Sequence, residues 1–304
     1  MSTFIEKERI CEREFDRFAP FWHIFTNGQK MDNLFCSKEE MKQGLLALAI
    51  AAALCPKVRI ITFELMNNHV HLIVSGEREE CLELFSIFRR RLMRVLSSLG
   101  KIIGWDCFQA DILEIENLKA LRNEIAYVNR NAFVADYRYT PFSYPWGGGW
   151  AYFSPVVHLL PSKSVSEMGL NAGRRMTRCR NLEMLGNIRF VEDVVFIPSF
   201  CRIDIGESMF HDARSYFYSL TRNAEAFSQT ALRLKDMVFL TDDEMYQVAI
   251  KYADTKFNSR QLSLLTPENR IELAKELHFK YNASNQQLKR ILRLAPAILD
   301  ELFP

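Results

Sequence analysis

Residues 57–74, Lys-Val-Arg-Ile-Ile-Thr-Phe-Glu-Leu-Met-Asn-Asn-His-Val-His-Leu-Ile-Val, predict two strands joined by a tight turn. The strand candidates at 57–66 and 69–74 are rich in β-branched and aliphatic residues, which favour buried strands. Asn67 and Asn68 tolerate a positive φ, as the central residues of a tight hairpin require. His69 and His71 are two residues apart on the second strand. Both imidazoles therefore leave one face of the sheet, about 7 Å apart at Cα.

The elements on either side of this hairpin predict an α+β fold. A strand is expected at 21–26, and a helix capped by Ser37 and Glu40 should run to residue 54. A second helix at 82–99, a strand at 105–112 and a helix at 117–131 follow the hairpin. The order strand–helix–strand–strand–helix–strand–helix predicts a ferredoxin-like antiparallel sheet with one additional helix.

Composition excludes several classes of protein. The 304 residues are 48% hydrophobic and 25% charged, which excludes wholesale disorder. Seven scattered cysteines contain no Cys-x-x-Cys pair, so neither a zinc ribbon nor a thioredoxin-type redox site is encoded. The N-terminus is charged and the longest apolar run, 45–55, is too short to span a bilayer, so we expect a cytoplasmic protein without membrane contact. Neither a P-loop nor a Rossmann glycine pattern occurs, which predicts no nucleotide cofactor.

The His-x-His pair is the most specific chemical feature of the chain. Two neutral imidazoles on one sheet face can together hold a divalent metal. The alternative is a pair of histidines that simply occupy a sheet surface.

The sequence around this pair resembles a known enzyme family. Met-Asn-Asn-His-Val-His at 66–71 is similar to the HUH motif of single-tyrosine transposases, and most closely to that of the REP-associated tyrosine transposases. Tyr-Val-Asn-Arg-Asn at 127–131 resembles the family's Tyr-Ile-x-x-Asn-Pro, and Tyr-Pro-Trp at 144–146 resembles its Tyr-x-Trp. The prolines usual in the first two motifs are replaced by Asn67 and Ala132.

The resemblance implies a function and a role for each matching residue. It implies an HUH nuclease fold that cleaves single-stranded or hairpin DNA and rejoins strands, and a homodimer as the assembly. Tyr127 would be the nucleophile that forms a 5′-phosphotyrosine. His69, His71 and Asn131 would hold Mg²⁺ or Mn²⁺. Independently of the family, Tyr127 and Asn131 are four residues apart and share one face of a helix.

A net charge of only +2, from 39 basic and 37 acidic residues, requires that any DNA-binding cations be concentrated locally. Two basic stretches, at 89–101 and 174–180, meet this requirement, although most charge runs are merely solvated helix faces. A helix-turn-helix is predicted near the C-terminus, with a small helical packing domain as the equal alternative. The predicted DNA contacts are Arg89, Arg90, Arg91, Arg94, Lys101, Arg130, Arg174, Arg175, Lys289, Arg290 and Arg293.

Four segments and two alternative functions complete the expectations. The segments are an N-terminal arm at 1–20, the HUH catalytic domain at 21–153, a mostly helical accessory region at 154–255 and the helix-turn-helix-like domain at 256–304. The first alternative is a DNA-binding regulator that keeps the fold without useful cleavage. The second is a metal-dependent phosphodiesterase that uses water as the nucleophile.

Overall fold

The computed structural model describes residues 4–28, 33–135, 139–222, 224–234 and 240–303. It confirms the predicted α+β class, with a four-stranded antiparallel sheet and a largely helical remainder. The chain divides into two compact units, Met1–Leu220 and Thr221–Pro304. Among the described residues, no helix combines the length and apolar character needed to cross a membrane.

Four helices and four strands form the part of the first unit that carries the histidine pair. In the segment expected as an N-terminal arm, Phe4–Phe18 is helical. In chain order the elements are α1 (Phe4–Phe18), β1 (Phe21–Thr26), α2 (Lys38–Leu54), β2 (Arg59–Leu65), β3 (Val70–Ser75), α3 (Arg78–Ser98), β4 (Ala110–Ile115) and α4 (Leu118–Ala135).

The sheet order is β2-β3-β1-β4, and each neighbouring pair is antiparallel. Phe25 is opposite His71 on β3, and Glu64 of β2 is opposite His71 on its other side. Directly opposed residues share a face, so these side chains and His23 lie on one side of the sheet. Helix α4 packs on that face.

The hairpin is formed as predicted, but its turn differs in detail. The backbone N–H of Met66 donates to the carbonyl of His69 at 2.9 Å, which closes a two-residue loop. Neither Asn67 nor Asn68 has a positive φ, so that expectation is wrong. Strand β3 begins at Val70, so His69 is the residue immediately before it. The side chain of Asn68 stabilises this turn through hydrogen bonds to Gly28 and His69, so the turn does not need a left-handed backbone conformation.

Helices α2 and α3 pack against each other on the opposite side of the sheet. Ser37 and Glu40 form the predicted capping box at the start of α2. Helix α2 is buried almost all round, because the sheet lies on one side and the segment around β7 (Val194–Val195) lies on the other. Gly100 ends α3 with φ +82°, a left-handed conformation that glycine adopts without steric cost.

The strand expected at 105–112 is wrong in position. Trp105–Cys107 is a 3₁₀ turn, and β4 spans Ala110–Ile115. The guanidinium of Arg89 binds the carbonyl oxygens of Trp105 and Phe108, so these groups bond to a side chain instead of a neighbouring strand. The ring of Phe108 is buried and contacts Phe85 of α3, which explains why this segment is apolar without being a strand.

The rest of the first unit contains a small sheet that the sequence did not predict, and the second unit is helical. The small sheet has the order β5-β6-β7. The remaining elements are β5 (Lys163–Ser164), α5 (Leu170–Thr177), β6 (Arg189–Val191), α6 (Ile203–Ser208), α7 (Ala213–Arg222), α8 (Ala224–Leu234), α9 (Asp242–Phe257), α10 (Pro267–Tyr281), α11 (Asn285–Leu292) and α12 (Pro296–Leu302). The side chains of Thr266 and Ser284 cap the N-termini of α10 and α11.

Candidate active site

The side chains of the two motifs meet on one face of the sheet. The ring centroids of His69 and His71 are 4.9 Å apart and the rings are perpendicular. The ring of Tyr127 on α4 contacts His71 edge-on, with 5.6 Å between centroids. Asn131 follows Tyr127 by one helical turn on the same face of α4. All four residues are buried, at 8% exposure or less.

A buried chain of hydrogen bonds fixes the orientation of His71. The carboxylate of Glu124 on α4 lies 2.6 Å from Nδ1 of His23, and Nε2 of His23 lies 3.0 Å from Nδ1 of His71. When His23 is neutral, Nδ1–H donates to the carboxylate and Nε2 accepts the proton of His71 Nδ1. In that tautomer Nε2 of His71 carries the lone pair that a metal requires.

His69 is oriented by its own turn. Nδ1 of His69 is 2.8 Å from Oδ1 of Asn68, and the amide nitrogen of Asn68 donates to the carbonyl of Gly28 at 2.9 Å. The amide oxygen therefore accepts from Nδ1–H, which leaves the lone pair on Nε2 in His69 also. A Cβ at residue 28 would lie 2.8 Å from Nδ1 of His69, so only glycine permits this close approach.

Two further buried polar groups lie beside the histidines. Nδ2 of Asn131 and Oε2 of Glu64 have no hydrogen-bond partner among the residues that the structure describes. Oε1 of Glu64 accepts the backbone N–H of Ala132 at 3.1 Å. Burial raises the pKa of Glu64 well above its usual value, although the backbone donors of Ala132 and Asn131 lower it. Each buried polar atom left without a partner costs about 1–3 kcal/mol, so the site is suited to a ligand that supplies one.

The donor set around the histidine pair fits a divalent cation. It comprises two imidazole nitrogens, the side-chain amide of Asn131 and the carboxyl of Glu64. A 180° flip of the Asn131 amide exchanges its nitrogen and oxygen, so the oxygen can take the position of Nδ2. This mixture of nitrogen and oxygen suits Mn²⁺ better than Mg²⁺, which prefers an all-oxygen environment.

A different cluster of potential metal ligands lies between α1 and the residues that follow α6. Within the described chain, Glu8, Cys11 and His211 bring three ligand atoms within 4.8 Å of one another. Arg122 binds both oxygens of Glu8 at 2.9 Å, and this bonding lowers the pKa of Glu8 against the opposing effect of burial. A guanidinium in this position neutralises Glu8 and repels a cation, so the cluster is explained as an ion-pair network.

The basic residues of α3 do not form one patch, although the sequence placed them together. Arg89 donates to the carbonyl oxygens of Trp105 and Phe108 at 2.7 and 2.8 Å. Lys101 donates to the carbonyl of Leu34 at 2.7 Å. These two cations hold the protein's own loops in place.

The other cations of α3 point in two directions. Arg90 is exposed and pairs with Glu83 at 3.1 Å. Arg91 lies with its Nη2 2.9 Å from Sγ of Cys179, and together with Arg94 it lines a cleft.

The predicted cations beyond α3 differ in their exposure. Arg130, also predicted to contact DNA, is only 2% exposed. It occupies a position on α4 that faces protein. Arg174 and Arg175 are exposed on α5, where Nε of Arg174 donates to the carbonyl of Arg180 at 3.0 Å.

The three cations predicted on the recognition helix are exposed in and just after α11. Arg290 pairs with Asp242 of α9 through two bonds of 2.6 and 3.0 Å. Arg293 follows α11 with φ 54°. Leu288 and Leu292 face the interior of the second unit, so α11 is amphipathic. The exposed cations are Lys289, Arg290 and Arg293.

Sequence reasoning missed four residues of the site: His23, Glu124, Glu64 and Asn68. A signal existed for His23, because it is the one imidazole in the otherwise apolar and aromatic strand 21–26, on the same face as Phe21 and Phe25. Glu124 is three residues before Tyr127 and so shares its helix face. Glu64 lies opposite His71 only in the observed register, which the sequence does not state.

Comparison of the chain with protein-family models, with curated proteins and with solved structures gave no match in any of the three.

Proposed function

We propose that the protein is a metal-dependent tyrosine DNA endonuclease and strand transferase with an HUH nuclease fold, acting on single-stranded or hairpin DNA as a homodimer. The observation that carries the proposal is the edge-on contact of Tyr127 with His71, beside His69 and one helical turn from Asn131. The split β-α-β-β-α-β connectivity and the sheet order β2-β3-β1-β4 are those of a ferredoxin-like sheet and support it.

The chemistry assigned to Tyr127 is a reversible transesterification. The phenolic oxygen forms a bond to the scissile phosphorus, the P–O3′ bond breaks, the phenolic proton is lost and the 3′ oxygen gains one. The product is a 5′-phosphotyrosine and a free 3′-hydroxyl. A 3′-hydroxyl reverses the step and joins strands, so the energy of the phosphodiester is conserved without a nucleotide cofactor.

The other residues orient the reacting groups. A divalent ion bound by His69, His71 and Asn131 would supply Lewis-acid polarisation of the phosphate and neutralise its developing charge. Glu124 and His23 hold His71 in the ligating tautomer, and Asn68 does the same for His69. These contacts place both ligands on rigid elements before any substrate arrives.

Substitution of Tyr127 by phenylalanine tests the proposal. The full chain is incubated with Mn²⁺ and an end-labelled library of random single-stranded and hairpin oligonucleotides, and adducts are resolved on a denaturing gel. We expect the wild type to form a covalent adduct that EDTA prevents, and Y127F to bind DNA with unchanged affinity but form no adduct. Y218F, which changes a tyrosine that is 62% exposed, is the matched control and should retain the adduct.

A second candidate is a DNA-binding regulator with the same fold, and the burial of the site favours it. Because Tyr127 and the three ligands are at most 8% exposed, a phosphate reaches Tyr127 only after neighbouring groups move. Tight hairpin binding by the wild type without an adduct under Mn²⁺, Mg²⁺ or Co²⁺ would establish the regulator. Cleavage that persists in Y127F without an adduct would instead establish a phosphodiesterase that uses water.

A further inference from the structure

A cleft of about 600 Å³ lies on the side of the sheet opposite the histidine pair. Helices α2 and α3, the end of α5 and the turn after it form the walls, with residues 177–181, 184 and 185 contributed by the last two. Gly44 of α2 is close to the side chain of Leu65. Leu65 leaves β2 on the face opposite Glu64, since neighbouring residues of a strand alternate. The cleft is therefore separate from Tyr127 and its surroundings.

Four arginines converge on this cleft from two parts of the chain. Arg91 and Arg94 come from α3, and Arg178 and Arg180 come from the turn after α5. No carboxylate is found among the described residues that line it. Glu39 pairs with Arg178 at 3.4 Å, where both side chains are about half exposed, so this pair offsets little of the positive charge.

The turn that carries two of the arginines is held in one conformation. Oγ1 of Thr177 donates to the carbonyl of Gly173 at 2.8 Å and accepts the backbone N–H of Cys179 at 3.3 Å. The carbonyl of Arg180 accepts from Arg174 at 3.0 Å. Arg178 has φ 53°, the left-handed conformation that commonly ends a helix, and it caps the C-terminus of α5.

The floor of the cleft is apolar. Leu46 and Ile50 of α2 and Val95 of α3 contribute aliphatic side chains to its lining. The volume is within the range of pockets that enclose a small organic ligand. Such a ligand must combine an anionic end for the arginines with a flat or apolar body for the floor.

We propose that this arginine cleft is a binding site for a nucleoside phosphate. Guanidinium groups bind phosphate oxygens through paired, charge-assisted hydrogen bonds, and four of them match a ligand with more than one phosphate charge. The aliphatic floor accepts the base. The site does not depend on the proposed cleavage chemistry. Its cations come from distant segments, so no contiguous sequence motif marks it.

Isothermal titration calorimetry with the full chain at 50 mM salt tests this site. The probes are ATP, inorganic pyrophosphate and a ten-residue oligothymidylate. We expect ATP to bind with a micromolar Kd, and R94A and R180A each to weaken binding about tenfold. R90A is the matched control, because Arg90 is the neighbouring cation of α3 that pairs with Glu83 outside the cleft. R94Q, at an exposed position, serves if R180A fails to fold.

The three probes separate the possible sources of the ligand. Binding of ATP that the oligonucleotide does not displace supports a free nucleotide as the ligand. Binding of the oligonucleotide that is weakened by R94A supports a nucleotide within a strand. The proposal is overturned if neither nucleotide probe binds at 1 mM, if the cleft variants bind like the wild type, or if pyrophosphate binds as tightly as ATP. A Y127F chain should bind ATP normally, so failure of the cleavage proposal leaves this result intact.

Discussion

Individual residues of the histidine site show how protein groups select one tautomer. His71 contacts His23, and His23 contacts the carboxylate of Glu124, so a single buried acid determines where the protons of two imidazoles lie. The side-chain amide of Asn68 fixes the tautomer of His69 in the same way. Partners of this kind raise the basicity of the ligating nitrogen and fix its direction.

Replacing Glu124 by glutamine should weaken metal binding about tenfold, because an amide can donate as well as accept and no longer fixes the proton on His23 Nδ1. Titration of Mn²⁺ followed by electron paramagnetic resonance measures the effect directly, without DNA. H211A, which disrupts the Glu8 cluster, is the control and should bind Mn²⁺ normally. Loss of Mn²⁺ binding in H211A with normal binding in E124Q would place the ion in the other cluster.

At the scale of elements, α2 illustrates a helix whose local signals and tertiary position agree. Its capping box satisfies N–H groups at the N-terminus, and the long apolar run is explained by contact with protein on both sides. Helix α1 differs, because its sequence is rich in charge and its apolar contacts are few: Cys11 is buried and the ring of Phe15 stacks on Phe21. An ion pair between Glu8 and Arg122 also links it to α4.

Removal of the α2 cap should destabilise the first unit by about 1 kcal/mol, because S37A leaves the backbone N–H of Glu40 without its acceptor. Thermal and urea unfolding measure the change. S98A, at an exposed serine in the last turn of α3 that bonds only to the carbonyl of Val95, should change stability by less than about 0.5 kcal/mol. Equal effects of the two variants would show that the cap contributes nothing.

The attachment of α1 should depend on pH. Hydrogen bonding from Arg122 lowers the pKa of Glu8 below its ordinary 4.5, so the carboxylate stabilises the folded chain above that pH and the contribution is lost as pH falls through the lowered pKa. E8Q should therefore cost about 1 kcal/mol at pH 7 and nothing at strongly acidic pH. E14Q, which removes an exposed pair with Arg17 on the same helix, should be neutral throughout. A pH-independent cost of E8Q would contradict the ion-pair explanation.

At the scale of the whole molecule, a small net charge conceals local concentrations of both signs. The cations that appear as one run at 89–101 are divided by the fold: Arg89 and Lys101 bind carbonyl oxygens, and Arg91 and Arg94 join the arginine cleft. The number of cations in a stretch of sequence therefore does not give the number that are available to bind a polyanion.

The division into two units predicts that the proposed metal site is self-contained. The histidines, Tyr127, Asn131 and their partners all belong to Met1–Leu220, and α7 ends at Arg222. A chain of residues 1–222 should unfold cooperatively and bind Mn²⁺ within about threefold of the full-length affinity. Calorimetric unfolding and the same resonance titration measure both properties. An unfolded fragment, or a folded one without Mn²⁺ affinity, would show that the second unit is required.

The sequence alone determined the local features: the hairpin, the shared direction of His69 and His71, the common face of Tyr127 and Asn131, and the helix caps. Each depends on the fixed periodicity of a strand or helix or on a hydrogen bond within four residues. The tertiary structure decided which faces meet. It brought Glu124 to His23, Glu64 to His71 and Arg178 to Arg94. Such contacts between distant segments depend on register and packing, for which the spacing of residues along one element carries no information.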